Sequence, residues 1–414
     1  MYVPSVSASQ SLLKAYIPLQ HWIAAPPQRE KYVSPIGQDQ TMLEDESGRL
    51  RLIGTPLQIN MLVTGCIVAV MGTENSNGDF EILDMKVPDL PRQPQRWERD
   101  EAAAAMTNGD AKSNKKKKER EDGGKVAIVS GLGIGDDGDT LKLDLVMEFL
   151  LGEACGTTTQ QDVSKISRLI IAGNSITEGT PLHDRDEMDK KASKKYGYDS
   201  SAYNPAPTTR LDEFLASLLP SMPITIIPGE SDPANVSLPQ QPIHPAMFPR
   251  SRNYAAMPEV IEPGWFDSVT NPWEGDVDGW RMMGNGGQPV DDVFKYVEGD
   301  ERLDMLENLL RWRCGAPTAP DTLCKSIDYM ERKRADMTLG CYPFQDKDQF
   351  VIEECPHVFF VGNQPDFETT VIHGPVGQSV RLIAVPKFKE TGEMVLLDTD
   401  TLEVELVRID VHND

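Results

Sequence analysis

Two hydrophobic patterns divide the chain. Between Met42 and Asp84, short apolar stretches alternate with polar positions and are separated by turn signals such as Asn77-Gly78. This pattern is typical of a small β-barrel or meander. A five-stranded barrel of the oligonucleotide/oligosaccharide-binding type fits the size, but fewer than five strands are evident. We therefore expect the barrel to lack its first one or two strands.

From Lys125 the pattern changes to buried strands that alternate with helices. β-branched strands are predicted at 126–130, 169–172 and 224–227, with amphipathic helices between them. This alternation predicts a parallel sheet built from right-handed crossovers.

The second half of the chain adds more strands and one charged amphipathic helix, which contains Leu303, Leu306, Leu309 and Leu310. The strands are predicted at Phe266–Thr270, Trp280–Met283, Val358–Val361, Val380–Val385, Met394–Leu397 and Leu402–Val407. Lys389–Glu393 is predicted to be a hairpin turn. The fold class is therefore α/β (α+β), with a large sandwich following the small barrel.

These patterns give three regions: a barrel at 1–94, a charged linker at 95–124 and the large sandwich at 125–414. The linker contains the run Lys115–Lys118, and a block of like charges is typical of a solvated connection. Such runs also serve as nuclear-import signals.

Composition excludes several classes of protein. The chain has 414 residues and a formal net charge of -24, which disfavours general nucleic-acid binding. Its six cysteines form no C-x-x-C pair, so we expect free thiols in a reducing compartment rather than a zinc ribbon or a disulfide framework. There is no signal peptide pattern and no membrane-spanning apolar stretch, so we expect a soluble intracellular protein.

The candidate site lies at the carboxyl ends of the predicted strands, where ligands bind in open α/β sheets. Four loops are expected to converge there, after residues 129, 172, 228 and 361. The first loop contains a formal G-x-G-x-x-G, but aspartates crowd the place of a pyrophosphate. Gly173-Asn174-Ser175 is not a G-x-S-x-G nucleophile elbow. Neither motif therefore predicts a dinucleotide site or an esterase.

A two-metal phosphoesterase would need Asp, His and Asn ligands on several of these loops. The loops offer Ser130, Leu132, Asn174, Glu230, Ser231 and Asn363. Leucine cannot bind a metal and serine is a poor ligand, while Asp232 and Asn174 alone cannot form a binuclear centre. We predict a chemically empty site.

Several motifs together resemble one family. They are Ser130-Gly131-Leu132-Gly133, Ala172-Gly173-Asn174, Pro228-Gly229-Glu230 with Asp232-Pro233, Leu238-Pro239-Gln240-Gln241-Pro242 with His244-Pro245, Thr270-Asn271-Pro272, Ala316-Pro317-Thr318-Ala319-Pro320-Asp321-Thr322-Leu323, Glu354-Cys355-Pro356-His357-Val358 and Gly362-Asn363. From about residue 40 to its end, the chain resembles the small (second, or B) subunits of DNA polymerase delta, of the fungal kind.

The resemblance implies an oligonucleotide-binding-type barrel joined to a calcineurin-like phosphodiesterase β-sandwich that is flanked by helices and has lost its metal ligands. Ser130 and Leu132 correspond to the Asp-x-His motif of active relatives. The Gly-Asp, Gly-Asn-His and Gly-His motifs correspond to Gly173-Asn174, Gly229-Glu230-Ser231 and Gly362-Asn363. The vestigial positions are thus Ser130, Leu132, Asn174, Glu230, Ser231 and Asn363, with no catalytic residue, metal or cofactor expected.

Two departures from the family pattern lead to further expectations. Family members carry additional sequence before the first strand, so residues 1–20 are expected to be a truncated start. Residues 324–338 interrupt a stretch that is continuous in the family, and we expect them to be an insertion.

The resemblance implies a non-enzymatic scaffold in the nucleus. Its expected partners are the catalytic subunit of DNA polymerase delta, through the C-terminal metal module, a third regulatory subunit, and also the polymerase zeta catalytic subunit. DNA would be contacted only through the complex, and no membrane is involved. Trp265, Trp273 and Trp280 are either interface anchors or internal packing residues. The alternatives are an active metal-dependent phosphodiesterase or exonuclease, and a barrel that binds single-stranded DNA directly.

Overall fold

The computed structural model describes residues 31–34, 39–45, 48–59, 61–98, 124–135, 140–177, 204–235, 237–255, 264–319 and 348–410. The predictions for residues 1–20, for the lysine run and for the insertion at 324–338 lie outside these residues and stay predictions.

The N-terminal region forms a four-stranded sheet in the order β1-β2-β4-β3. Its elements are β1 (Met42–Asp45), β2 (Gly48–Ile53), the short helix α1 (Pro56–Ile59), β3 (Ala69–Glu74) and β4 (Phe80–Lys86). β2 and β4 are parallel, and the other neighbours are antiparallel. Leu52, Ile82 and Met85 form its small core. Within the described residues the sheet is open and closes no barrel, so the expected barrel is present only as this partial sheet.

A six-stranded sheet carries the predicted crossovers. Its strands are β5 (Lys125–Val129), β6 (Ile166–Ala172), β7 (Ile224–Ile227), β8 (Phe266–Ser268), β14 (Glu393–Asp398) and β15 (Val404–Arg408), in the order β15-β14-β5-β6-β7-β8. β5 to β8 are all parallel, which confirms the sheet predicted from the alternation of strands and helices.

A five-stranded sheet has the order β12-β13-β11-β10-β9. Its strands are β9 (Trp273–Val277), β10 (Trp280–Asn285), β11 (Val358–Gln364), β12 (Glu368–His373) and β13 (Ser379–Pro386). β11 runs parallel to both of its neighbours. The sheet is therefore mixed, with antiparallel strands at its two edges.

The two large sheets pack face to face with helices on their outer faces. Apolar residues between the sheets include Ile128, Ile170, Phe360 and Ile383. The outer face of the six-stranded sheet is covered by α2 (Leu141–Leu150), α3 (Thr157–Val163) and α4 (Ala206–Leu218). The outer face of the five-stranded sheet is covered by α5 (Gln288–Val293) and α6 (Arg302–Trp312). Because central strands are apolar on both faces, they read as continuous hydrophobic runs in the sequence.

The predicted hairpin turn at Lys389–Glu393 is wrong. The chain forms a short helix there, α7 (Phe388–Thr391), and ends it at Gly392, which has a φ of 71°. β13 and β14 belong to different sheets, so this segment crosses between them instead of joining paired strands. The polar Lys-Glu-Thr-Gly-Glu pattern suits a capped helical turn as well as a hairpin. The helical turn forms because β13 and β14 lie in different sheets, and it buries Phe388.

A connecting segment, residues 87–98, crosses the end of the five-stranded sheet at which β10, β11 and β13 begin. Leu90 is buried in the core beneath α6. The Gln93 side chain donates to the carbonyl oxygens of Pro356 and Ser379, at 2.9 and 2.7 Å, and accepts from the Ser379 amide at 3.0 Å. These contacts attach the small sheet to the sandwich through hydrogen bonds from one side chain to backbone groups.

The connecting segment ends close to the point where the sandwich begins. Trp97 packs on Gly279, whose added Cβ would lie 2.2 Å from the indole ring. The neighbouring Trp280 indole donates to the Thr399 carbonyl at 2.6 Å, and the Thr399 amide donates to the Gly124 carbonyl at 2.8 Å. Trp97 and Gly124, which stand near the two ends of segment 99–123, therefore lie close to the same edge of the sandwich.

Two further properties of the described residues concern their cysteines and the length of their helices. Cys66, Cys155, Cys314 and Cys355 are free thiols, and burial raises the pKa of Cys66 to about 11. Among the described residues, no helix is long and apolar enough to cross a membrane.

Candidate functional site

The loops after the parallel strands meet at one end of the six-stranded sheet. The Gly131 amide donates to the Gly173 carbonyl at 2.9 Å, and the Gly133 amide donates to the Asn174 carbonyl at 3.1 Å. The Gly173 amide in turn donates to the carbonyl of Ile227, the last residue of β7. Parallel neighbours bring their carboxyl ends to the same edge, so the first three predicted loops are adjacent.

Ser130 connects the two sheets at this point. It is fully buried after β5, and its hydroxyl donates to the Ala172 carbonyl of β6 at 2.6 Å. The same oxygen accepts a hydrogen bond from the Asn363 amide of β11 at 2.8 Å. One hydroxyl therefore satisfies backbone groups of both sheets.

Leu132 belongs to the hydrophobic core. It is buried in the cluster under the outer face of the six-stranded sheet, together with Ile134 and Phe388. A side chain at this position points into apolar packing, where an ionic ligand would be strongly disfavoured.

Asn174 and Ser231 hold the second and third loops together. Asn174 has a φ of 51°, and its side-chain oxygen accepts from the Ser231 amide at 3.3 Å. The Ser231 hydroxyl donates to the Ile176 carbonyl at 2.5 Å. Glu230 is exposed on the surface of the loop. Of this group, only Glu230 is directed to solvent.

Asn363 lies in β11 with a φ of 57°, and asparagine tolerates this left-handed conformation better than most residues. Its side-chain nitrogen donates to the Gly286 carbonyl at 2.8 Å. Its side-chain oxygen is buried without a hydrogen-bond partner among the described residues. Asn363 therefore joins β11 to the end of β10.

Close backbone contacts require glycine at two of these positions. A Cβ on Gly362 would lie 2.1 Å from the Ala172 carbonyl oxygen, and a Cβ on Gly229 would lie 2.2 Å from the Asn174 amide. Real Cβ atoms do not approach so closely, so the glycines allow the strand ends to pack against one another.

Asp232 is the buried carboxyl group of the site. Its two oxygens accept from the Ile176 amide at 3.0 Å and from the Gly229 amide at 2.7 Å. Burial raises the pKa of Asp232 to about 6, although the backbone hydrogen bonds favour the ionised form. The carboxyl group therefore organises the third loop.

Three amide side chains form a hydrogen-bonded cluster next to the third loop. Asn271 donates to the side-chain oxygens of Gln240 and Gln288, at 2.8 and 3.0 Å. Gln288 also donates to Gln240 at 3.1 Å, and Gln240 donates to the Gly229 carbonyl at 3.1 Å. Gln240 and Asn271 are buried. Both residues stand in motifs that carry the family resemblance, but their contact was not predicted, because the two residues are 31 positions apart in the sequence.

The donor chemistry of the site is therefore mostly neutral amide, hydroxyl and backbone. Within the described residues, no group of three or more His, Cys, Asp or Glu side chains is arranged to hold a metal ion. The structure brings Ser130, Asn174, Ser231 and Asn363 together at the strand ends, with Leu132 in the core beside them and Glu230 outside.

The three tryptophans differ in their surroundings. Trp273 packs against Phe360 between the sheets, with ring centroids 6.2 Å apart. Trp280 lies against His357, and the Arg96 guanidinium stacks over its ring at 4.7 Å. Trp265 remains exposed. Internal packing is thus the role of Trp273 and Trp280 in this chain.

Comparison with known proteins identifies the class. A family model for the B subunits of DNA polymerases alpha and epsilon matches residues 126–369, more than half of the chain. A second model, described as DNA polymerase delta subunit OB-fold domain, matches residues 3–85. Both matches indicate a polymerase accessory chain that joins an oligonucleotide-binding-type domain to a larger α/β domain.

Comparison with individual proteins shows which polymerase family within this class the chain belongs to. The chain is similar to the DNA polymerase delta small subunit of Arabidopsis thaliana, with 37% identity over 88% of this chain and 71% of the relative. It is 33% identical to the corresponding subunit of Saccharomyces cerevisiae over 91% of this chain and 71% of the relative. It is also 30% identical to DNA polymerase delta subunit 2 of Drosophila melanogaster, over 95% of this chain and 78% of the relative. The chain belongs to the family of DNA polymerase delta small subunits.

Proposed function

We propose that the chain is a non-catalytic accessory subunit of a DNA polymerase delta complex that acts in nuclear DNA replication and repair. The observation that carries this proposal is the 37% identity to a DNA polymerase delta small subunit over 88% of the chain. In the complex, the chain bridges the C-terminal metal module of the catalytic subunit to a third regulatory subunit. It has the same bridging role toward the polymerase zeta catalytic subunit, and it meets DNA only through the complex.

The division into a barrel at 1–94, a linker at 95–124 and a phosphodiesterase-like domain at 125–414 is part of the proposal. The described contacts support a rigid scaffold, because residues 87–98 attach the small sheet to the sandwich by hydrogen bonds from Gln93. A scaffold of this kind presents its surfaces in a fixed relation, which suits stable interfaces of about 1,200–2,000 Å² or more.

We also propose that the phosphodiesterase-like site is degenerate. The support is the use that the chain makes of the vestigial positions. The Ser130 hydroxyl joins two sheets, the Asn363 side chain joins β11 to β10, and Leu132 lies in the core. The alternative, an active metal-dependent phosphodiesterase or exonuclease, needs these same positions for ligands.

Co-expression with a catalytic subunit tests the proposal. The full chain is co-expressed with a DNA polymerase delta catalytic subunit carrying its C-terminal module, and the mixture is separated by gel filtration at moderate salt. We expect one stoichiometric complex, in which the Ser231→Ala variant retains polymerase activity. Separate elution of the two chains would contradict the proposed function. A polymerase defect of the variant in an intact complex would contradict the degenerate site.

A further inference from the structure

His357 ends a motif that the vestigial site does not use, Glu354-Cys355-Pro356-His357, directly before β11. The residue is 7% exposed, and its ring makes a T-shaped contact with Trp280, with ring centroids 4.9 Å apart. Its amide donates to the Arg281 carbonyl and its carbonyl accepts from the Arg381 amide, both at 2.8 Å. The imidazole is therefore fixed at the end of the sheet where β10, β11 and β13 begin.

Both ring nitrogens of His357 have hydrogen-bond partners in the backbone. Nδ1 accepts from the Arg281 amide at 3.2 Å. The ring also forms a hydrogen bond with the backbone of Pro94, and because proline has no N–H, the imidazole is the donor there. A ring that accepts on Nδ1 carries its hydrogen on Nε2, so His357 is neutral in this arrangement.

The second half of the connecting segment, residues 92–98, is attached to the sandwich on both sides of this hydrogen bond. On one side, the Cys355 amide donates to the Arg92 carbonyl at 2.9 Å. On the other side, the Trp97 amide donates to the Gly279 carbonyl at 3.1 Å. The imidazole therefore lies at the centre of the contacts that hold this half of the segment.

The first half of the connecting segment, residues 87–91, is held separately. Arg313, directly after α6, donates to the carbonyl oxygens of Asp89 and Leu90 at 2.6 and 3.3 Å. These hydrogen bonds do not involve His357. Opening of residues 92–98 therefore leaves the first half of the segment attached to the sandwich.

The surroundings of the ring favour its neutral form. Burial lowers the pKa of His357, although the hydrogen bond to Pro94 and the charge of Asp276 act in the opposite direction. Both ring nitrogens face backbone groups rather than carboxylates. The charged residues on the surrounding elements are Arg96 of the connecting segment, Asp276 of β9, Arg281 of β10, Glu354 before β11, Arg381 of β13 and Asp400 after β14.

We propose that His357 is a pH-sensitive switch that holds residues 92–98 on the sandwich when it is neutral and releases them when it is protonated. Protonation places a second N–H opposite the Arg281 amide, which loses its acceptor, and it puts a charge in a buried position. The switch sets how firmly the chain is held just before residues 99–123, independently of the partners that the protein binds.

The sign of the pH dependence follows from the direction of the pKa shift. The pKa of His357 is lower while residues 92–98 are attached than its ordinary value of 6.5. The attachment is therefore fully present above about pH 6.5 and weakens as the pH falls below it.

Hydrogen exchange followed by mass spectrometry on the full chain tests the switch at pH 5.5 and pH 7.5. Each measured rate is compared with the intrinsic rate at the same pH to give a protection factor. The reporter is the peptide that contains the Trp97 amide, and the internal reference is a peptide from the buried strand β6. His357→Asn places an uncharged side-chain oxygen near the position of Nδ1. His373→Asn is the matched control, because His373 is exposed on β12.

From pH 7.5 to pH 5.5, the protection factor of the Trp97 peptide in the wild type should fall by about three- to tenfold. Tenfold is about the limit that a histidine of ordinary pKa in the open state allows. His373→Asn should show the same fall, and His357→Asn should show none. If His357→Asn is unprotected at both pH values, the wild-type fall relative to β6 is the deciding measurement.

Three results would overturn the inference. The first is a wild-type protection factor that stays within about twofold between the two pH values. The second is an equal fall in a protected His357→Asn variant, which would assign the pH dependence to another group. The third is an equal fall in the β6 peptide, which would show that the whole fold opens and not residues 92–98 alone.

Discussion

Replacing Ser130 by alanine tests whether a position that we propose to be vestigial holds the fold together. The Ser130 hydroxyl is fully buried, donates to the Ala172 carbonyl and accepts from the Asn363 amide. Each buried hydrogen bond contributes about 0.5–1.5 kcal/mol, and a buried amide left without an acceptor costs about 1–3 kcal/mol. We therefore expect Ser130→Ala to lower the free energy of unfolding by about 2–4 kcal/mol.

Urea unfolding followed by intrinsic fluorescence measures this loss. With a slope of about 3 kcal/mol per molar urea, the midpoint should fall by about 1 M. Ser164→Ala is the matched control, because the Ser164 hydroxyl donates to the Gln161 carbonyl at 2.7 Å in an exposed position. Its effect should stay within about 0.5 kcal/mol. Equal midpoints for Ser130→Ala and the wild type would refute the structural role of this hydroxyl.

Three further changes test other parts of the account. Gly362→Ala should prevent folding to the native state, since its Cβ would lie 2.1 Å from the Ala172 carbonyl oxygen; a soluble variant with a wild-type melting temperature would contradict the close packing. Burial raises the pKa of Asp232 to about 6 from its ordinary 3.8, so ionisation of this carboxyl group opposes folding. Its contribution to the free energy of unfolding is therefore present below pH 3.8 and is lost as the pH rises through 6. Between pH 7 and pH 4, the free energy of unfolding of the wild type should therefore rise by about 2–3 kcal/mol relative to that of Asp232→Asn, as measured by urea unfolding at each pH. If the two proteins changed in parallel with pH, this reasoning would be refuted. Replacing residues 99–123 by a short Gly-Ser linker should leave the melting temperature within about 2 °C in a thermal scan, because the described chain leaves and re-enters at one edge; a large drop would show that this segment stabilises the fold.

The regular parts of the sandwich could be predicted from the sequence because they have strong periodicity. The runs at β5, β6 and β7 are continuously apolar, and continuous apolar runs between amphipathic helices are characteristic of central parallel strands. β14 and β15 form a hairpin in that sheet, but β15 begins at Val404 rather than at the predicted Leu402. Leu402 has a φ of 57°, a turn conformation that its hydrophobic side chain does not reveal.

The small sheet and the segment before β14 were harder to predict. Alternation in a short strand indicates only that one face is buried, so the four strands fit an open sheet as well as a barrel. The segment at 389–393 has turn-forming residues for either a hairpin or a capped helix. Which one forms depends on the sheets that β13 and β14 join, and no local pattern carries that information.

The position of the candidate-site loops was predictable from the sequence, but the contacts between their residues were not. Loop placement followed from strand order, whereas the absence of metal ligands remains a prediction from side-chain chemistry. The bond from the Ser130 hydroxyl to Asn363 spans 233 residues, and the amide contact between Asn271 and Gln240 joins two irregular loops. Contacts of this kind arise from tertiary packing, so spacing in the sequence cannot reveal them.

The most direct test of the central claim is a tagged pull-down of the full chain from nuclear extract at moderate salt, with the co-eluting chains identified by mass. We expect a stoichiometric family-B DNA polymerase catalytic chain together with one smaller subunit. Recovery of the protein alone, folded, with a bound divalent metal and with phosphodiesterase activity, would contradict the claim.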